Sequence, residues 1–332
     1  MKKILLTAVA ALAIVGCSQN EEIEKAGEKA EINFGTIVSK TTRAAVTTLD
    51  SLQKSGFTVY AYNTGQETIG EKESKGVLSD ELMSKVTVEY SGSEWGITGN
   101  GKYYWPLNDK IQFFAYATDN SVSNYVAEET GAYPKVDYKV ADAIDKQIDF
   151  VVAQALNKTQ TDSKVTLPFI HVLTQVNFSA KTENADLKYN ITSVKLTGVS
   201  NAGTYNFADT TWVAKTAAEN IKSYTYFEDA NGVSIVKNNI VKLQQNEALM
   251  LIPQSLTNVS IVISYNILQN NKIIKQVTGE TISLASTTDW KAGKKIRYTL
   301  ALTETGTAVS FDASVADWDE PETDPLNPTP VE

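Results

Sequence analysis

VTLPFIHVLTQVNFSA, residues 165–180, is the stretch that decides the fold. Val, Ile, Thr and Phe dominate it, the composition of strands. It holds two strands separated near Pro168, or one long bent strand. Working outward, the same character recurs. Phe57–Tyr62 alternates apolar and polar positions. Lys110–Ala117 is apolar on both faces in its second half. Ile191–Val199, Ala248–Pro253, Val259–Ile267, Ile273–Gly279 and Lys295–Leu302 are further short runs bounded by Gly, Asn, Pro or Ser. Short strands closely punctuated by turns point to antiparallel β-sandwiches rather than β-α-β units. Helical patterns are few: Thr48–Lys54, and Val77–Lys85 with Ser79 as a candidate N-cap.

The chain has 332 residues, of which 42% are hydrophobic and 21% charged. That is enough apolar material for a real core, and the length suits two domains. Both halves hold six or more candidate strands. The simplest partition is two sandwiches in series, 44–164 and 165–318, with the boundary after the polar stretch 157–163. The formal net charge is −9, and Arg43 and Arg297 are the only arginines. Nothing in this balance attracts a polyphosphate backbone, which argues against nucleic acid as a partner.

Residues 1–17 read MKKILLTAVAALAIVGC. Lys2 and Lys3 precede an apolar core too short to span a bilayer, the form of a secretory signal peptide of residues 1–16. The core ends in Ile14-Val15-Gly16-Cys17, which resembles a bacterial lipobox. Cys17 is the only cysteine. It is the expected lipidation site, and acylation there anchors the chain to a membrane. Residues 17–43 form a polar tether followed by a strand-like run at 31–38, whose first half alternates apolar and polar, with Ile32, Phe34 and Val38 among its apolar positions. The segment between Lys40 and Thr48 has no strand or helix pattern and reads as an exposed loop open to proteases.

The end of the chain splits in two. Val309, Phe311, Ala313 and Val315 alternate with polar or small residues and give one apolar face. Beyond Trp318, residues 319–332 form an acidic tail holding four of the eight prolines, unsuited to a core.

Catalytic and metal-binding patterns are sparse. A hydrolytic triad needs a base, and His171 is the only histidine. It lies within an apolar strand pattern and reads as structural. One cysteine and one histidine exclude the common zinc sites. Asp317, Asp319, Glu320 and Glu322 lack EF-hand spacing and read as solvated tail. No glycine-rich phosphate loop appears. The expectation is a non-enzymatic chain without cofactor or metal. Tyr103, Tyr104 and Trp105 form the densest aromatic cluster and are candidates for stacking on sugars. The competing expectation is therefore a non-polymerising surface lipoprotein that binds glycans.

Several landmarks stand in order: Cys17; Ile32 and Phe34 ahead of Thr42-Arg43-Ala44; Phe57–Ala61; Tyr104-Trp105-Pro106; Ile111–Tyr116; Asp149–Ala153; Phe169–Val176; Leu251–Gln254; Trp290–Gly293; and Val315–Trp318. Together they resemble the fimbrillin family of type V pilins from Bacteroides and Porphyromonas relatives. The resemblance implies an all-β chain of two transthyretin-like Greek-key sandwiches in tandem. It implies a fimbrial structural and adhesive subunit, exported as a lipoprotein to the outer membrane and found at the cell surface in fimbriae. A trypsin-like protease would cut at Arg43–Ala44 and release the first strand with Ile32, Phe34 and Val38. The vacated groove would take a neighbour's strand carrying Val309, Phe311, Ala313 and Val315. Partners would be other fimbrial subunits, the protease, and a host or bacterial surface ligand.

Overall fold

The computed structural model describes residues 30–38, 48–75, 78, 80–99, 101–117, 122–126, 133–162, 164–243, 248–303 and 309–317. Cys17, Arg43, Ala44 and the tail beyond residue 318 lie outside the described residues, as do Val77 and Ser79. The chain is all-β, as the sequence pattern predicts.

The first half contributes β1 (Phe34–Val38), β2 (Phe57–Asn63), β3 (Glu81–Tyr90), β4 (Trp95–Ile97), β5 (Ile111–Ala117), β6 (Val122–Val126), β7 (Lys135–Lys139), β8 (Val151–Lys158) and β9 (Val165–His171). The second half contributes β10 (Thr174–Thr182), β11 (Lys188–Ser200), β12 (Ala202–Asn206), β13 (Thr211–Ala214), β14 (Ile221–Ile235) and β15 (Val241–Lys242). It continues with β16 (Leu249–Leu251), β17 (Ser260–Gln269), β18 (Lys272–Ser283), β19 (Lys294–Leu302) and β20 (Val309–Asp317). Two short helices, α1 (Leu49–Ser55) and α2 (Ile69–Glu73), each start at a threonine in a capping box: Thr48 with Ser51, and Thr68 with Glu71.

The decisive stretch holds two strands, but the break falls at Val172-Leu173 and not at Pro168. Pro168 sits inside β9, facing solvent, while Val165, Leu167 and Phe169 face inward. The helix expected over Val77–Lys85 is replaced by β3, which begins at Glu81. Met83, Val86 and Val88 are buried by pairing with β2, and that tertiary pairing overrides the local helical pattern.

Seven strands close a barrel in the order β1-β4-β3-β2-β5-β8-β9. Its interior is aromatic. Phe34 meets Phe57 and Phe113 edge to face at 6.0 and 5.9 Å, and Trp105 meets Phe113 at 5.9 Å. In the second half, the sheet β15-β10-β19-β20 (with β16 also on β10) and the sheet β14-β11-β17-β18 share one core. Phe178 of β10 lies 4.8 Å from Tyr226 of β14 within it.

A fourth sheet, β13-β12-β7-β6, draws its strands from both sides of residue 164. It explains why β5 is buried along its whole length. One face of β5 lines the barrel, and Phe114 on the other meets Phe207 at 5.3 Å. Trp212 of β13 donates from Nε1 to the carbonyl of Val172 at 2.6 Å, between β9 and β10.

Candidate functional site

The candidate site is built around β1, the strand that closes the barrel. Its sequence alternates, so one side of the strand packs inward. Ile32, Phe34 and Val38 are buried in the barrel core, whereas Asn33 and Ile37 face solvent. Each inward side chain contributes about 1.5–3 kcal/mol of apolar burial.

The backbone pairing of β1 is asymmetric. On one side it runs parallel to β9 over five residues, from Phe34 opposite Val165 to Val38 opposite Phe169. On the other side, Phe34 stands opposite Trp95 of β4, antiparallel. Ahead of β1, Ile32 donates to the carbonyl of Tyr103 at 2.8 Å, and Trp105 donates to that of Ala30 at 2.9 Å. The groove that holds residues 30–38 is thus walled by β9 on one side and by Trp95 and residues 103–105 on the other. The parallel ladder is evenly spaced and somewhat weaker per residue than an antiparallel one.

Three features of this groove escape a reading of hydrophobic pattern alone. Thr36 places a buried hydroxyl against β9, and it has no hydrogen-bond partner. Such a group carries the full cost of its lost hydration. A Cβ at Gly35 would come within 3.0 Å of Cε of Lys164, an exposed lysine immediately before β9. Ile37 is 61% exposed on an outward position.

The aromatic candidates divide. Trp105 is 1% exposed and packs inside the barrel, so its ring is closed to a sugar in this arrangement. Tyr103 is half-buried and Tyr104 exposed. Glu31 pairs opposite Tyr104, so this segment serves as a wall for β1.

The apolar-alternating strand of the C-terminus, β20, lies at the edge of its sheet, antiparallel to β19. Phe311 stands opposite Leu300, Ala313 opposite Tyr298 and Val315 opposite Ile296. Ala313 and Val315 are exposed, Val315 by 60%. The side chains of Val309 and Phe311 lie outside those described. β20 therefore adds backbone pairing to its own sheet while leaving its apolar side at least partly in water.

His171 lies at the end of β9, where its Nδ1 is 2.7 Å from Oδ2 of Asp149, and both side chains are buried. Among the described residues, no group of three His, Cys, Asp or Glu side chains is placed to hold a metal ion. The same residues contain no helix long and apolar enough to cross a membrane.

β1 thus completes the barrel, and β20, a second strand of alternating apolar sequence, lies at the edge of its own sheet. The chain belongs to the fimbrillin-like family, whose model matches residues 42–318. It is similar to the fimbrium subunit Fim1C of Phocaeicola vulgatus, with 26% identity and 98% of each chain covered. Its fold is similar to the crystal structure of a fimbrial protein from Bacteroides vulgatus. The TM-score is 0.70 at 22% identity, over 86% of this chain and 99% of that one.

Proposed function

We propose that this chain is a fimbrial structural and adhesive subunit, made as a lipoprotein anchored through Cys17 and activated by proteolysis at Arg43–Ala44. Cleavage frees residues up to Arg43, β1 leaves the barrel, and β20 of a neighbouring copy enters the groove. Head-to-tail contacts of this kind do not close on themselves and so build filaments. The precursor belongs at the outer membrane, and the processed subunit in the surface fimbrium. Its partners are other fimbrial subunits, a trypsin-like protease and a surface ligand.

The observation that carries this reading is the placement of β1. It closes the barrel between a five-residue parallel ladder to β9 and a single antiparallel pairing to β4, and its last residue, Val38, lies five residues before Arg43. An occupant of that kind can be removed without breaking the other strand pairings. Family membership and similarity to a fimbrium subunit support the same reading.

The test is the N-terminus of the protein in the native envelope, read by mass spectrometry. The expected result is Ala44 in high-mass assemblies. Arg43→Ala should retain residues 31–38, start at acylated Cys17 and give no polymer. Phe311→Asp should be processed normally yet fail to polymerise. Normal filaments from both variants would sink the proposal.

A further inference from the structure

The direction and register of the exchanged strand follow from matching what β1 occupies to what β20 carries. We infer that the incoming β20 takes the place of β1 in the same direction, parallel to β9, with Val309 replacing Ile32, Phe311 replacing Phe34, Ala313 replacing Thr36 and Val315 replacing Val38. This inference rests on the strand-exchange reading above and adds its geometry.

The inward positions of the groove are read by size. From the N-terminal end they hold Ile32, Phe34, Thr36 and Val38. The alternating positions of β20 are Val309, Phe311, Ala313 and Val315. Both series run medium, aromatic, small, medium. The series has a polarity, and that polarity decides the direction. If β20 entered reversed, with Val309 at the Val38 position, Ala313 would fall where Phe34 sits. The space between Phe57 and Phe113 that Phe34 fills edge to face would then be empty, and Phe311 would be forced onto the small Thr36 position. A hole and an overpacked ring are both destabilising. A parallel shift by two residues fails the same way, placing Val309 at Phe34 and Phe311 at Thr36. An odd shift turns the apolar side to solvent.

The outward and small positions agree with the same register, and each substitution favours the incoming strand. Ala313 replaces Thr36, whose buried hydroxyl is unpartnered, so the exchange removes a desolvated polar group. Asp312 replaces Gly35, where the nearest atom to an added Cβ is Cε of the flexible Lys164 side chain, at 3.0 Å. That contact yields easily, and it sets a carboxylate beside an ammonium. Ser314 replaces Ile37, which is 61% exposed. Val315 moves from 60% exposed at the sheet edge to the position where Val38 is 9% exposed. Val315 therefore gains burial on transfer, and the groove loses a polar misfit. The direction of exchange is built into the difference between the two strands.

The experiment uses the full chain assembled into fimbriae by its host. In this register Ser314 stands opposite Pro168, because Ile37 does so in β1. Both Pro168 and Ser314 are exposed. A chain carrying Pro168→Cys and Ser314→Cys should give a ladder of disulfide-linked multimers on a non-reducing gel, and neither single variant should. A ladder from Pro168→Cys with Ser310→Cys instead would mean the reversed direction. A ladder from Pro168→Cys with Asp312→Cys would mean a shift by two. Either ladder, or none of the three, overturns the register. Failure of strand exchange itself is read separately, as filaments that survive Phe311→Asp. As a second readout, Lys164→Glu should lower polymer yield by about two- to fivefold, and adding Asp312→Lys should restore it. A yield unmoved by Lys164→Glu would remove the pairing of Asp312 with Lys164.

Discussion

At Thr36 the barrel keeps a hydroxyl without a partner where a methyl would suffice. Threonine and valine share a shape, so Thr36→Val replaces the hydroxyl with a methyl at nearly constant volume. The full-length chain should gain about 1 kcal/mol in denaturant unfolding. A loss of that size would mean that the hydroxyl has found a partner. The same variant should polymerise more slowly, because the departing strand is then better held. His171 argues in the opposite sense at this scale. Its contact with Asp149 joins the end of β9 to the segment before β8 through two buried side chains. A buried, hydrogen-bonded polar pair at a strand end is a structural use of the chain's one histidine.

Among the elements, β11 is the spine of its sheet, pairing β14 on one side and β17 on the other. Its ladder to β14 shifts register between Thr197 and Val199, where Gly198 adopts φ +76°. A Cβ there would lie 2.0 Å from the carbonyl oxygen of Asn258. Gly198→Ala therefore requires backbone movement in β11 or in the turn before β17 and should cost about 2–4 kcal/mol. Gly279 has a similar φ of +70° with nothing within 4 Å of its Cβ direction. Gly279→Ala should cost only about 1 kcal/mol, the price of left-handed backbone alone. Equal losses in thermal or urea unfolding would contradict the steric account. The hairpin of β17 and β18 shows a further local rule. Asn270 and Asn271 both have positive φ, 48° and 62°, the form of a two-residue turn matched to strand twist.

Across the whole molecule, the sheet β13-β12-β7-β6 ties the barrel to the second half and shelters a cluster of tyrosines. Tyr60 stacks on Tyr125 with ring centroids 3.6 Å apart, and the Tyr62 hydroxyl donates to that of Tyr125 at 3.3 Å. Burial pushes Tyr62 up from 10.0 to about 12, against a smaller lowering by its bond to Tyr125. Burial also raises Tyr60 and holds Tyr125 well above its ordinary value. A phenol whose folded pKa is raised binds its proton more tightly in the native state than in the unfolded chain. Its contribution is complete below the unfolded value and is lost as pH rises toward the folded one. Stability should therefore fall as pH climbs from 10 toward 12, and the buried tyrosines should ionise only as the chain unfolds. Tyrosinate absorbance followed beside circular dichroism checks this. Full ionisation in a still-folded protein would contradict it.

The all-β class, the strand at 31–38, the short helix after Thr48 and the alternating segment at 309–316 are legible in the sequence. Period-two patterns, a capping residue and turn residues are local signals, and local chemistry enforces them. The break between β9 and β10, the strand at Glu81–Tyr90 and the burial of Trp105 were decided by tertiary structure. In each case contacts with distant parts of the chain, which the local pattern does not encode, decided the outcome. Ile32, Phe34 and Val38 can be picked out as apolar positions from sequence. That they close a barrel beside β9 cannot, because parallel pairing joins residues about 130 apart. Thr36, Gly35 and Lys164 carry no sequence signal of their own. Their meaning comes from one hydroxyl, one missing Cβ and one ammonium brought to the same groove, and only the folded chain puts them there.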